Sequence, residues 1–89
     1  MSDIRKTIIF HGEVQGVGFR YRSKYLAQSL GLTGTVKNQY DGTVLMEVQG
    51  SSMAIDKLIM ELRRAPFIYI DWIEEKNIPT KSEYGFYIE

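Results

Sequence analysis

The residue pattern predicts an α+β sandwich of split β-α-β topology, an antiparallel sheet of four to five strands with two helices on one face. Three observations carry this. Apolar residues alternate at every second position in some stretches and recur at helical spacing in others, in the order strand, helix, strand, strand, helix, strand, with room for a short fifth strand. The second and third strands are joined through Asp41-Gly42, a pair that suits a tight hairpin. Glycine, serine and proline fall where the two helices must start and stop.

Residues 6–14 place Ile8, Phe10 and Val14 in alternation, and Ile9 makes the middle apolar on both faces, the pattern of a central strand. Over residues 19–30 the spacing of Phe19, Leu26 and Leu30, with Ala27 and the aromatic bodies of Tyr21 and Tyr25, suits an amphipathic helix. Gly31 ends it by accepting a left-handed backbone. Residues 33–39 are rich in β-branched side chains and read as the second strand, and residues 43–49 return from the hairpin as the third. Gly50 breaks that strand, Ser51 and Ser52 offer an N-cap, and Ile55, Leu58, Ile59 and Leu62 follow at i, i+3, i+4 and i+7. Arg63 and Arg64 suit the negative end of this second helix, and Ala65-Pro66 stops it. A fourth strand is expected over residues 67–77 with Ile68, Ile70 and Trp72 on one face, and a short terminal strand over residues 84–89.

Composition narrows the function. One domain spanning residues 1–89 is expected from the length. With no cysteine there is no disulfide, thiolate nucleophile or thiolate metal site, and a reducing, cytoplasmic setting is expected. The opening MSDIRKTIIF has too short an apolar run for a signal peptide, and no stretch approaches the ~20 apolar residues of a membrane span. Eleven Lys and Arg balance eleven Asp and Glu, so no global positive field favours nucleic acid. Carboxylates are scattered without metal-ligand spacing, and the lone histidine, His11, has no evident partner for a triad or metal cage; it reads as a strand residue. No metal, cofactor, membrane or nucleic-acid partner is expected, and the chain is expected to be a monomer.

The stretch that carries chemistry is GEVQGVGFR, residues 12–20, where the first strand gives way to the first helix. Gly16 and Gly18 can adopt positive φ, so consecutive backbone N–H groups can turn toward one point and hold an anion. A helix starting at Phe19 adds its unpaired N–H groups and positive dipole end. Arg20 supplies a planar, permanently charged fork that matches phosphate oxygens. A tight strand-to-helix turn with a surface arginine is the alternative reading of the same residues. In the predicted topology strand three lies between strands one and two, which run parallel. Asn38, near the end of strand two, is then two strand spacings, roughly 9 to 10 Å, from the glycine loop.

Three segments, VQGVGFR at residues 14–20, LGLTG at residues 30–34 and VKNQYDGTV at residues 36–44, resemble the acylphosphatases, small ferredoxin-like enzymes that hydrolyse the carboxyl-phosphate bond of acyl phosphates. The resemblance implies that Arg20 binds phosphate, that Gln15, Gly16, Val17, Gly18 and Phe19 form a backbone cradle, and that Asn38 positions the attacking water. Thr35 stands where the family commonly has an aromatic residue, and Ala65 where it often has glycine; neither lies in the implied catalytic set. Tyr21, Tyr25 and Tyr40 are expected to pack rather than to line the site. Two other readings stay open from the residues. One is a non-catalytic domain that senses phosphate with the same residues. The other is an RNA-binding module of the same topology, which the third strand, TVLMEVQ, disfavours because it offers no aromatic for stacking.

Overall fold

The computed structural model describes residues 3–89. Its elements are β1 (Ile4–Glu13), α1 (Phe19–Ser29), β2 (Thr33–Asn38), β3 (Val44–Gly50), α2 (Ser52–Arg64), β4 (Tyr69–Ile78) and β5 (Phe86–Ile88). The strands form one sheet in the order β4-β1-β3-β2-β5. As predicted, β3 lies between β1 and β2 and is antiparallel to both. β5 pairs with the outer side of β2 in parallel, so the sheet is mixed rather than antiparallel throughout.

Register places Ile8 opposite Met46, Phe10 opposite Val44 and Val36 opposite Met46. These side chains are fully buried in one cluster with Phe19 and Ala27 of α1 and Ile55, Leu58 and Leu62 of α2, so both helices cover the same face. α2 is the most regular element. The Ser51 hydroxyl accepts from the Ala54 N–H at 3.1 Å as its N-cap, and Ile55, Leu58 and Leu62 form its buried stripe. Leu58→Ala will therefore cost roughly 2 to 5 kcal/mol, read as a lower denaturant midpoint; an unchanged midpoint would mean that this stripe does not hold the core.

α1 departs from its expected face. Its buried residues are Phe19, Ser23 and Ala27, whereas Tyr21 and Tyr25 are 65% and 71% exposed. The small side chains at Ser23 and Ala27 let the helix lie close to its neighbours, and Leu26 and Leu30 pack only partly against the core. The tyrosines are left on the outer side, in contact with water. The C-terminus ends as the glycine implies. Gly31 has φ 71°, with its N–H bonded to the Gln28 carbonyl at 3.2 Å and the Leu32 N–H to the Ala27 carbonyl at 2.8 Å, a Schellman pair.

The fourth strand is corrected at Trp72. Opposite His11 and Gly12, β4 carries one extra residue, Asp71, because Trp72 pairs with His11 and Ile70 with Gly12. This bulge shifts the alternation. Ile73 falls opposite Phe10 and packs on the core, while Trp72 is 52% exposed on the open face, its ring stacked on His11 at 3.8 Å. His11 Nε2 also meets Glu74 Oε2 at 2.6 Å. The strand begins later than expected, since Phe67 holds φ 70° in the turn after α2.

β4 and β5 occupy opposite edges, so residues 79–85 must cross the end of the sheet. A buried cation fastens that crossing to the open face. Arg5, only 2% exposed, binds Glu47 Oε1 at 2.8 Å and Glu83 through its other terminal nitrogen. Thr33 Oγ1 donates to Glu83 Oε1 at 3.1 Å, and Gln49 exchanges two hydrogen bonds with the Lys81 backbone at 2.8 and 3.0 Å. Burial pushes the Glu83 carboxyl up, but the hydrogen bonds from Arg5 and Thr33 and the charges of Arg5 and Lys81 outweigh it, leaving it below the ordinary glutamate value of 4.5. A carboxyl lowered by folding contributes stability that is fully present above its unfolded value and lost as pH falls through its folded value. The denaturant midpoint should thus drop on acidification below about pH 4.5. Glu83→Gln should lose about 1 to 3 kcal/mol at neutral pH and show a shallower acid drop; an identical acid profile in the variant would remove Glu83 from this role.

Candidate active site

β1 ends at Glu13 and α1 begins at Phe19, and the loop between them lies at the same end of the sheet as the close of β2. Phe19 fixes the entry to the helix, its buried ring 4.8 Å from that of Phe10 on β1. Gly16 and Gly18 both take the left-handed conformation, at φ 74° and 79°. A Cβ at either position would meet nothing within 4 Å, so the demand for glycine comes from the backbone angle and not from crowding. Gly18 is the N-cap of α1 and provides no side-chain cap, and the first turn holds no acidic residue. The positive end of the helix therefore meets no acidic side chain within its own first turn.

The loop is tied to the β2–β3 hairpin by the side chain of Gln15, a residue expected to serve only through its backbone. Gln15 Nε2 donates to the carbonyls of Gln39 and Thr43 at 2.6 and 2.9 Å. The hairpin itself is closed by Gly42 N–H to the Gln39 carbonyl at 3.1 Å and Gln39 N–H to the Thr43 carbonyl at 2.9 Å. Only Gly42 has positive φ, at 93°; Asp41 instead accepts from the Thr43 N–H at 3.0 Å and from its hydroxyl at 2.6 Å. Those two bonds, the hydroxyl first, hold the Asp41 carboxyl below its ordinary value. Gln15 thus ties the turn to the glycine loop, and Asn38 is the last residue of the strand that leads into the turn.

A pocket of about 210 Å³ opens here, lined by Val14, Gly16, Gly18, Phe19, Arg20, Tyr21 and Asn38. Of the predicted residues, Gly16, Gly18, Phe19, Arg20 and Asn38 share its wall, whereas Gln15 and Val17 are not among the lining residues. Arg20 is half-buried at the start of α1 and makes no salt bridge among the described residues. Asn38 is exposed at the last position of β2. Tyr21 joins the lining, and Tyr40 is fully exposed at the hairpin tip, so the expectation that these rings pack is wrong for both. His11 does not line the pocket. Among the described residues no group of three His, Cys, Asp or Glu is arranged to hold a metal ion, and no helix is long and apolar enough to cross a membrane.

Fold and pocket together define a ferredoxin-like sandwich with a pocket at the junction between its first strand and first helix. The acylphosphatase family model matches residues 6–88. An acylphosphatase of Ligilactobacillus salivarius is 42% identical over 89% of this chain and 90% of its own, and one of Clostridium acetobutylicum is 46% identical over 78% and 77%. The crystal structure of acylphosphatase from Bacillus subtilis superposes with a TM-score of 0.90 at 31% identity, covering 97% of this chain and 98% of that one. The chain belongs to the acylphosphatase family, a family of hydrolases.

Proposed function

We propose that this protein hydrolyses acyl phosphates to a carboxylate and inorganic phosphate, with Arg20 and the loop amides binding the phosphoryl group and Asn38 positioning the water. The observation that carries the reading is one pocket wall that holds an arginine free of ion pairs, two left-handed glycines, an uncapped helix start and an exposed asparagine amide. An acyl phosphate is already activated, because its leaving group is a carboxylate. Catalysis then needs positioning and charge stabilisation rather than a strong base. Water attacks phosphorus, the bond from phosphorus to the acyl oxygen breaks, and the electron pair leaves with the carboxylate. One proton of the water passes to the phosphoryl oxygens, giving dihydrogen phosphate. That His11 is not among the pocket-lining residues supports the substrate's own phosphate as proton acceptor, and a pH profile demanding an ionising side chain would overturn that step.

The chain is further proposed to act as a single domain in the cytoplasm without metal or nucleic acid. The test is phosphate release from acetyl phosphate in the presence of a chelator. Turnover should persist, and inorganic phosphate should inhibit competitively because it occupies the same cradle. An absolute metal requirement, or noncompetitive inhibition, would count against the assignment. A non-catalytic phosphate sensor would bind phosphate and release none from the substrate.

A further inference from the structure

We infer that a second depression beside the anion pocket receives the acyl group of the substrate and favours acyl groups that carry a further negative charge, an inference that rests on the acyl phosphate reading above. The depression has a volume of about 370 Å³ and is lined by Val17, Gly18, Tyr21, Arg22, Tyr25 and Leu26. Gly18 and Tyr21 also line the anion pocket, so the two spaces share a wall at the start of α1. Asn38 lines only the smaller one. In-line displacement sends the leaving group away from the attacking water. With water held at Asn38, the acyl group departs on the side without Asn38, where the larger depression lies.

The lining chemistry suits an acyl body with a charged end. Val17, Tyr21 and Tyr25 recur at intervals of four, as do Gly18, Arg22 and Leu26, so the helical members form one surface stripe leading away from the loop. The exposed rings of Tyr21 and Tyr25 offer apolar faces. Arg22 is exposed, makes no salt bridge among the described residues, and has no carboxylate beside it in the lining. It lies four residues beyond Gly18, about 6 Å along the helix axis, which sets a permanently charged side chain one turn past the loop on the same stripe.

Three probes test this: acetyl phosphate, benzoyl phosphate and 4-carboxybenzoyl phosphate, with kcat/KM measured at low salt for the wild type and for Tyr25→Ala, Arg22→Gln and Arg22→Lys. Comparing ratios between variant and wild type cancels the intrinsic reactivity of each anhydride. Tyr25→Ala should lower the benzoyl-to-acetyl ratio about five- to tenfold, the scale of one aromatic contact. Arg22→Gln should lower the 4-carboxybenzoyl-to-benzoyl ratio about three- to fivefold, the scale of an exposed ion pair, whereas Arg22→Lys should keep most of it. Added salt should erode the same ratio in the wild type. If all three probes are hydrolysed and both ratios stay within about twofold of wild type in every variant, the subsite is wrong while the activity stands. If the wild type hydrolyses none of them, the acyl phosphate reading itself falls, and the subsite with it.

Discussion

Arg20→Ala is expected to lower kcat/KM for an acyl phosphate by about 10³ or more while the protein remains folded. Arg20 lines the pocket and no carboxylate neutralises it among the described residues, so its charge and its planar fork would both be available to phosphoryl oxygens. It would touch the phosphoryl group in the bound substrate and in the transition state alike. The variant should therefore lose affinity for inorganic phosphate and also turn over slowly, so that KM and kcat both suffer. Arg20→Lys restores the charge without the fork and should stay badly impaired. Because Arg20 lies outside the buried core, the denaturant midpoint should hardly change. A folded Arg20→Ala that is active and binds phosphate normally would remove the glycine loop from the active site altogether.

Asn38→Ala separates the two roles. A residue that orients the attacking water matters mostly while the new bond forms, so kcat should fall on the order of 10² to 10³, about 3 to 4 kcal/mol, with little change in the phosphate inhibition constant. The side chain is exposed at the end of β2, and the hairpin is closed by neighbouring residues, namely Gln39, Asp41, Gly42 and Thr43. The fold should therefore survive the substitution. Full activity in the folded variant would return Asn38 to an ordinary residue beside a turn. A loss of phosphate affinity as large as that of Arg20→Ala would instead make it part of the cradle.

Much of this architecture is legible in the chain because its determinants are local. The α2 stripe of Ile55, Leu58 and Leu62, the Ser51 cap, the Gly31 stop and the paired left-handed glycines at 16 and 18 each depend on residues within a few positions of one another. Their spacing alone sets backbone angle and face, so periodicity and turn chemistry were enough to place them. The convergence of Arg20 and Asn38 is legible by another route, through the order of the elements, which implies β3 between β1 and β2 and so brings two strand ends to one edge.

Tertiary structure decided whatever depends on a distant partner. The bulge at Asp71 exists only against His11 and Gly12 of β1, and it alone turns Trp72 outward and Ile73 inward, against the alternation read from β4 by itself. Arg5 is buried because Glu83, 78 residues away, and Glu47 meet its charge; a lone arginine in a strand gives no sign of that. Gln15 reads as one more loop residue until the carbonyls of Gln39 and Thr43 come within hydrogen-bond reach of its amide. Tyr21 and Tyr25 fit an apolar helix face by spacing, yet Ser23 and Ala27 take the inner side because close packing there favours small side chains, which leaves the tyrosines beside the pocket. Backbone conformation and amphipathic spacing are properties of a few consecutive residues, whereas burial, charge pairing and strand register are properties of pairs that only folding brings into contact.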